Sequence, residues 1–214
     1  HSSLLTPYSS VLVGRSHELH QLHQWLAKAA NGTRQVVFVS GEPGIGKTTL
    51  VDAFLQSVEA KAQSQEDGRQ RAESREQGAK RDTAFPAPSS VLLAPCYARG
   101  QCIEHYGAGE AYLPVLEAVG QLCRQPGGEQ VVTLLSRYAP TWLVQMPALL
   151  SDAEFEALQR KVQGATRERM LREMAEALEA LTAKQPLVLV LEDLHWSDPS
   201  TLDLLALLAQ RRGL

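Results

Sequence analysis

Residues 35–60 hold the feature that most constrains this chain, a glycine-rich octapeptide set between an apolar run and a helical pattern. The run Gln35–Ser40 (QVVFVS) is dense in β-branched residues, which predicts a strand buried on both faces. The residues from about Lys47 to Ala60 predict a helix. A strand, a glycine-rich turn and a helix in this order predict a βα unit of a parallel sheet. The octapeptide consists of Gly41, Glu42, Pro43, Gly44, Ile45, Gly46, Lys47 and Thr48.

The octapeptide also predicts a phosphate site, because it matches the pattern G-x-x-x-x-G-K-[ST]. Its glycines let the backbone curl so that N–H groups face a phosphate, and the next helix adds the partial positive charge of its N-terminus. Lys47 can reach β- and γ-phosphate oxygens, and the Thr48 hydroxyl can ligate Mg²⁺. Thr49 is a further candidate contact with the nucleotide. We therefore expect a nucleoside triphosphate with Mg²⁺, namely ATP; the alternative is a glycine turn with a surface lysine.

A second motif is the segment Leu187–Asp193 (LVLVLED), which predicts a buried strand ending in two carboxylates, Glu192 and Asp193. Ligands bind at the carboxyl ends of the strands in open α/β sheets. One carboxylate can hold Mg²⁺ through water, and its neighbour can polarise the attacking water. The alternative is a pair of solvated charges in a strand-to-helix turn.

The rest of the chain alternates between helical and strand patterns in the same way. This alternation predicts an α/β fold, the three-layer αβα sandwich of P-loop NTPases with helices on both faces of a parallel sheet. Since three strands make a thin sheet, we expect residues 1–214 to be a fragment of a P-loop NTPase domain, with later strands beyond Leu214. The further elements predicted are helices over Ser16–Ala30, Thr166–Ala183 and Ser200–Gln210, a strand over Ser90–Ala98, and a helix opened by a capping box at Ser151–Glu154.

The stretch Lys61–Asp82 contains no Val, Ile, Leu, Met, Phe, Trp, Tyr or Cys, and six positive charges nearly balance five negative ones. Such a segment cannot bury enough apolar surface to offset the entropy lost on ordering. We therefore expect a disordered insertion at residues 61–84 within the domain. A charged arm that binds a partner is the alternative.

Composition excludes several classes of protein. A net charge of −3 supplies no basic field, so we expect no direct binding of nucleic acid by this chain. No apolar run approaches the roughly 20 residues of a membrane-spanning helix, and the first residues lack the regions of a signal peptide. Three cysteines are too few for a disulfide framework and odd in number, which favours a reducing compartment. We expect a cytoplasmic domain without membrane association.

Other residues with chemical potential lie outside these motifs. Two groups of possible metal ligands are His17, His20 and His23, and Cys96, Cys102 and His105. A solvated helix face explains the first group better, and the second fits no zinc template. The pair His195-Trp196 follows the two carboxylates. We expect Trp196 to pack in the structure, whereas His195 could orient or sense a γ-phosphate.

Taken with these motifs, the sequence resembles the AAA-like P-loop domain of STAND signalling ATPases, in the branch found in large LuxR-like regulators and beside class III adenylate and guanylate cyclase domains. The matching pieces cover most of the chain, and the most specific is the run Asp-Leu-His-Trp-Ser-Asp that begins at Asp193. The pieces are LVGR at Leu12–Arg15 with Glu18-Leu19, GEPGIGKTTL at Gly41–Leu50, GAGEAYLPVLEAV at Gly107–Val119, APTWLVQMP at Ala139–Pro147, RERMLREMAEALEAL at Arg167–Leu181, and PLVLVLEDLHWSDPSTLDLL at Pro186–Leu205.

The resemblance implies roles for particular residues. Gly14 and Arg15 would lie near the adenine, Glu192 would take the magnesium role, and Asp193 would activate the attacking water. Many relatives carry aspartate where this chain has Glu192, so the reverse division of labour is the alternative. The family's sensor arginine and winged-helix region would follow the next strand, beyond Leu214.

Three functions fit this sequence. The first is a regulated signalling ATPase whose nucleotide state switches a larger assembly, with the other domains of a longer chain as partners and nucleotide-dependent self-association possible. The second is a static module that holds ATP or ADP without turnover. The third is a P-loop kinase, which needs an acceptor pocket and an arginine-rich lid; the only arginine-dense stretch, Arg69–Arg81, is balanced by acids.

Overall fold

The structure, a computed structural model, describes residues 14–60, 95–104, 110–183 and 185–211 of the chain. These residues fall into two units, one within His1–Ala94 and one within Pro95–Leu214. The insertion expected at residues 61–84 lies outside the described residues. Among those that are described, no helix is both long and apolar enough to cross a membrane.

The described residues of the first unit form two helices. Helix α1 spans Ser16–Ala30, as predicted, and its apolar side chains are half-buried. Helix α2 covers residues 47–60, also as predicted. It buries four side chains at spacings of four, one and three residues, which places them on one helix face. These are Leu50, Phe54, Leu55 and Val58.

The prediction of a buried strand over Gln35–Ser40 is wrong. The segment has no strand pairing among the described residues, and Val36, Phe38 and Val39 are 44%, 71% and 39% exposed. A β-branched, apolar run favours extended backbone, but its side chains are buried only where a sheet forms and other elements cover both of its faces. Among the described residues no strand pairs with this segment, and its side chains remain exposed.

The second unit is built on a two-stranded parallel sheet of β1 (Cys96–Gln101) and β2 (Leu187–Glu192). Their register pairs Cys96 with Leu187 and Gln101 with Glu192. The strand predicted at Ser90–Ala98 overlaps β1 only in its last three residues. The prediction stopped too early because residues 99–101, where β1 ends, carry no large apolar side chain. Residues 90–94 lie outside the described part. Strand β2 is confirmed, but it is half-buried rather than buried; in the part of the chain that the structure describes, β1 is the one strand that pairs with it.

Helix α3 (Leu113–Arg124) covers the edge of β1 that faces away from β2. The backbone N–H of Arg99 donates to Gln121 Oε1 at 2.7 Å, and that of Gln101 donates to Glu117 Oε2 at 2.8 Å. Glycine is required for this approach, because a Cβ at Gly100 would lie 1.7 Å from the carbonyl oxygen of Pro114. Helix side chains therefore satisfy backbone donors that a further strand would otherwise pair.

The remaining helices of the second unit enclose the main core, whose centre is Trp142, fully buried with Leu135, Leu143 and Met174. The Trp142 indole donates to the carbonyl of Met170 at 2.8 Å. The helices are α4 (Gly128–Tyr138), α5 (Pro140–Leu143), α6 (Asp152–Lys161), α7 (Arg167–Thr182) and α8 (Pro199–Gln210), with short 3₁₀ turns at Pro147–Leu149 and Leu194–Trp196.

Side chains cap two helices of the second unit, and the capping box predicted at Ser151–Glu154 is one of these caps. The Ser151 hydroxyl accepts from the N–H of Glu154, whose carboxylate accepts from the N–H of Ser151, so the capping box opens α6. Asp198 caps α8 by accepting from the N–H groups of Ser200 and Thr201. Helices on a parallel sheet give the α/β fold of a P-loop NTPase, as predicted.

Candidate functional site

The phosphate loop lies between the extended segment 33–40 and the first turn of α2. Gly44 and Gly46 have φ angles of +77° and +90°, in the left-handed region where a side chain is strained. Helix α2 begins at residue 47, so the N–H groups of its first turn lie immediately after the loop. The backbone therefore has the curl and the helix N-terminus that favour an anion.

Lys47 folds back onto the loop. Its ammonium donates to the carbonyls of Gly41 and Glu42, each at 3.0 Å. An ammonium has three N–H donors and can share itself between these carbonyls and a phosphate. Thr48 and Thr49, the next two residues of α2, are exposed, so a metal ion can reach the Thr48 hydroxyl.

Arg15 also contacts the loop. Gly14 adopts a φ of +78° just before it, and one terminal nitrogen of Arg15 donates to the carbonyl of Ile45 at 3.0 Å. The other terminal nitrogen lies 3.3 Å from Glu18 Oε1. Both Arg15 and Ile45 were candidate site residues, but no bond between them was predicted. Every residue type has a backbone carbonyl, so the sequence does not indicate which carbonyl an arginine will bind.

The two carboxylates lie in the second unit, where β2 ends. Glu192 is its last residue and half-buried, and Asp193 follows it exposed, with a φ of +52°. Two side chains of β1 reach them: Arg99 Nε lies 3.6 Å from Glu192 Oε2, and Gln101 donates to Asp193 Oδ2 at 3.2 Å. Arg99 and Gln101 were not among the residues predicted for this site. Their signal is the strand register, since Gln101 lies opposite Glu192.

His195 and Trp196 follow in a 3₁₀ turn with their ring centres 4.9 Å apart. Trp196 is 45% exposed, so the prediction that it packs into the structure is wrong. The indole ring instead contacts the ring of His195 in the turn after Asp193.

The remaining candidate ligands do not converge. Among the residues that the structure describes, no group of three or more His, Cys, Asp or Glu side chains is placed to hold a metal ion. His20 bonds to Gln24 at 3.0 Å and His23 to Ser57 at 2.9 Å, so these histidines have separate partners. His105 lies outside the described residues.

Burial holds the cysteines neutral. It raises the pKa of the Cys96 and Cys102 thiols and raises the pKa of Cys123 to about 11. For Cys102 a hydrogen bond with Ser197 opposes the effect of burial, and the charges of Asp198 and Asp193 add to it. A protonated thiol is a poor nucleophile and metal ligand, so the cysteines bring no chemistry to the carboxylates.

Comparison with known proteins gives one family and one distant relative. A family described as AAA ATPase domain matches residues 11–214. An uncharacterized protein of Rhizobium meliloti (strain 1021) is 26% identical over 198 residues, which cover 91% of this chain. The chain spans only 16% of that relative's length. No solved structure matches significantly.

Proposed function

The chain belongs to the AAA ATPase domain family, and we propose that it acts as a nucleotide-dependent signalling switch that binds Mg-ATP and hydrolyses it within a longer protein. The phosphate loop carries this proposal: two left-handed glycines lead directly into α2, and the Lys47 ammonium lies against the loop carbonyls. The N–H groups at the start of α2 and the Lys47 ammonium are donors that suit the β- and γ-phosphates.

The loop residues bind the nucleotide in this proposal. Backbone N–H groups of the loop and of the first turn of α2 face the phosphates, Lys47 neutralises their charge, and Thr49 adds a contact at the helix start. The Thr48 hydroxyl and the Glu192 carboxylate are oxygen donors of the kind that Mg²⁺ prefers. Bound Mg²⁺ would neutralise charge on the phosphate oxygens.

Asp193 is the proposed base. Its carboxylate accepts a proton from the attacking water, the water oxygen bonds to the γ-phosphorus, and the bond to the β,γ-bridging oxygen breaks, so that ADP leaves with the electron pair. Asp193 is exposed and held at Oδ2 by Gln101, which fixes its orientation. Glu192 takes the magnesium role.

A static nucleotide-binding module is the second candidate. Arg99 lies beside Glu192, and Gln101 already donates to Asp193, so both carboxylates have partners that compete with a metal or a water. A domain that keeps these contacts would hold nucleotide without turnover.

The substitution Asp193→Asn in the longer protein separates the two candidates. Asparagine tolerates the left-handed backbone of position 193 and keeps an acceptor for Gln101, but an amide cannot take a proton from water. We expect unchanged ATP affinity and a hydrolysis rate lower by about 100-fold or more, measured as phosphate release. Glu192→Gln should instead weaken the magnesium-dependent part of ATP binding, and Asp152→Asn on exposed α6 is the control.

Three results would change the proposal. Undiminished hydrolysis in Asp193→Asn would remove the water-activating role of Asp193. Tight ATP binding without turnover in the unmodified longer protein would favour the static module. A requirement of Glu192 for turnover and of Asp193 for metal would reverse the two roles.

We place the switch in the cytoplasm, where ATP and Mg²⁺ are supplied. Its partners would be the other domains of the longer chain and further copies of itself, recruited according to nucleotide state. The small share of the Rhizobium meliloti relative that this chain spans supports a place within a larger protein.

A further inference from the structure

One side chain connects the start of α1 to the tip of the phosphate loop. Arg15 precedes α1, and its guanidinium donates to the carbonyl of Ile45 at 3.0 Å. Glu18, in the first turn of α1, holds the other end of that guanidinium at 3.3 Å. The arginine is therefore oriented from one side and bonded to the loop on the other.

Ile45 lies at a part of the loop where a hydrogen bond from Arg15 can restrict the backbone strongly. It lies between Gly44 and Gly46, which have the widest backbone freedom of any residue type. Its side chain is 48% exposed and so adds little packing, and its N–H makes a long bond of 3.4 Å to the carbonyl of Glu42. A charged donor on its carbonyl is the firmest contact at this tip.

We propose that Arg15 is a positioning residue that holds the tip of the phosphate loop in its phosphate-binding form, with Glu18 orienting the guanidinium. This inference rests on the proposed function of the loop. It differs from a contact with adenine, because both terminal nitrogens of Arg15 are engaged, one with the loop and one with α1. Loss of Arg15 would then weaken binding of the phosphate chain alone.

The test uses Arg15→Gln and two readouts. The first is the affinity for magnesium tripolyphosphate, which has no base, measured by calorimetry. The second is hydrogen exchange of the loop amides in the protein without ligand. We expect tripolyphosphate affinity to fall about fivefold and the amides of Gly44, Ile45 and Gly46 to exchange faster, at an unchanged melting temperature.

Two further variants sharpen the test. Arg15→Lys should recover part of both effects, since an ammonium can donate to Ile45 but cannot bridge to Glu18 with the same fork geometry. Arg172→Gln is the matched control, because Arg172 forms a comparable surface pair with Glu176 at 4.0 Å on α7. It should change neither readout.

The outcomes separate this inference from the proposed function. Unchanged tripolyphosphate affinity in Arg15→Gln would assign Arg15 to the base or to no role, and would overturn the inference. Weaker tripolyphosphate binding with unchanged loop exchange would mean a direct phosphate contact, and would overturn it too. If the unmodified protein binds no nucleotide, the proposed function fails, while exchange in the absence of ligand still tests the restraint by itself.

Discussion

Cys123 shows how burial changes the pKa of a side chain in this protein. It lies in the main core at 9% exposure, and burial raises the pKa of its thiol to about 11, against an ordinary value of 9.0. The charge of Arg124 opposes this effect but does not cancel it. A thiol held protonated here packs as a small apolar group.

The raised pKa of Cys123 predicts a loss of stability at high pH. Between about pH 9 and pH 11 the unfolded chain releases the thiol proton while the folded chain keeps it, so the free energy of the unfolded state falls relative to that of the folded state as pH rises. We expect the urea midpoint to fall over this range, and to fall less in Cys123→Ala. Equal pH dependence in the two proteins would show that this thiol has no raised pKa.

At the scale of elements, helix limits could be predicted more accurately than strand limits, although β2 was predicted correctly. The bounds of α1 and α7 and the caps of α6 and α8 follow from periodicity and from local side-chain bonds, which the sequence displays directly. Strand limits depend on partners far along the chain. Hence Gln35–Ser40 was wrongly predicted as a buried strand, and β1 began and ended later than its apolar run suggested.

The junction of β1 and α3 provides an element-scale prediction. A methyl group at Gly100 would overlap the backbone of Pro114, which cannot move without shifting α3. We expect Gly100→Ala to lower the free energy of unfolding by about 3 kcal/mol, measured by urea denaturation.

Gly120→Ala is the control for that substitution. Its new methyl would approach the flexible end of Arg124 at 3.2 Å, and alanine favours the helix by up to about 1 kcal/mol. We expect unchanged or slightly higher stability. Similar losses of unfolding free energy in both variants would mean that the close approach of α3 to Gly100 does not cause the destabilisation.

At the scale of the whole molecule, each unit holds its own group of candidate residues, and each group has supporting contacts within that unit. In the first, Arg15 and Lys47 bind carbonyls of the phosphate loop. In the second, Arg99 and Gln101 lie against the two carboxylates. The sequence displays the motif residues directly, because their chemistry fixes their type and spacing, and their nucleotide-binding roles stay predictions. The supporting contacts could not be predicted, because strand register and backbone carbonyls decide them.

Calorimetry of Mg-ATP binding to the unmodified chain and to Lys47→Ala tests the central claim most directly. The substitution removes a charge-assisted phosphate contact, so we predict a loss of about 3 kcal/mol, or about 100-fold in affinity, with the fold retained in circular dichroism. Lys161→Ala, on the exposed last turn of α6, should bind as the unmodified chain does. Equal ATP affinity in Lys47→Ala and the unmodified chain would contradict the assignment of Gly41–Thr48 as a nucleotide-binding loop.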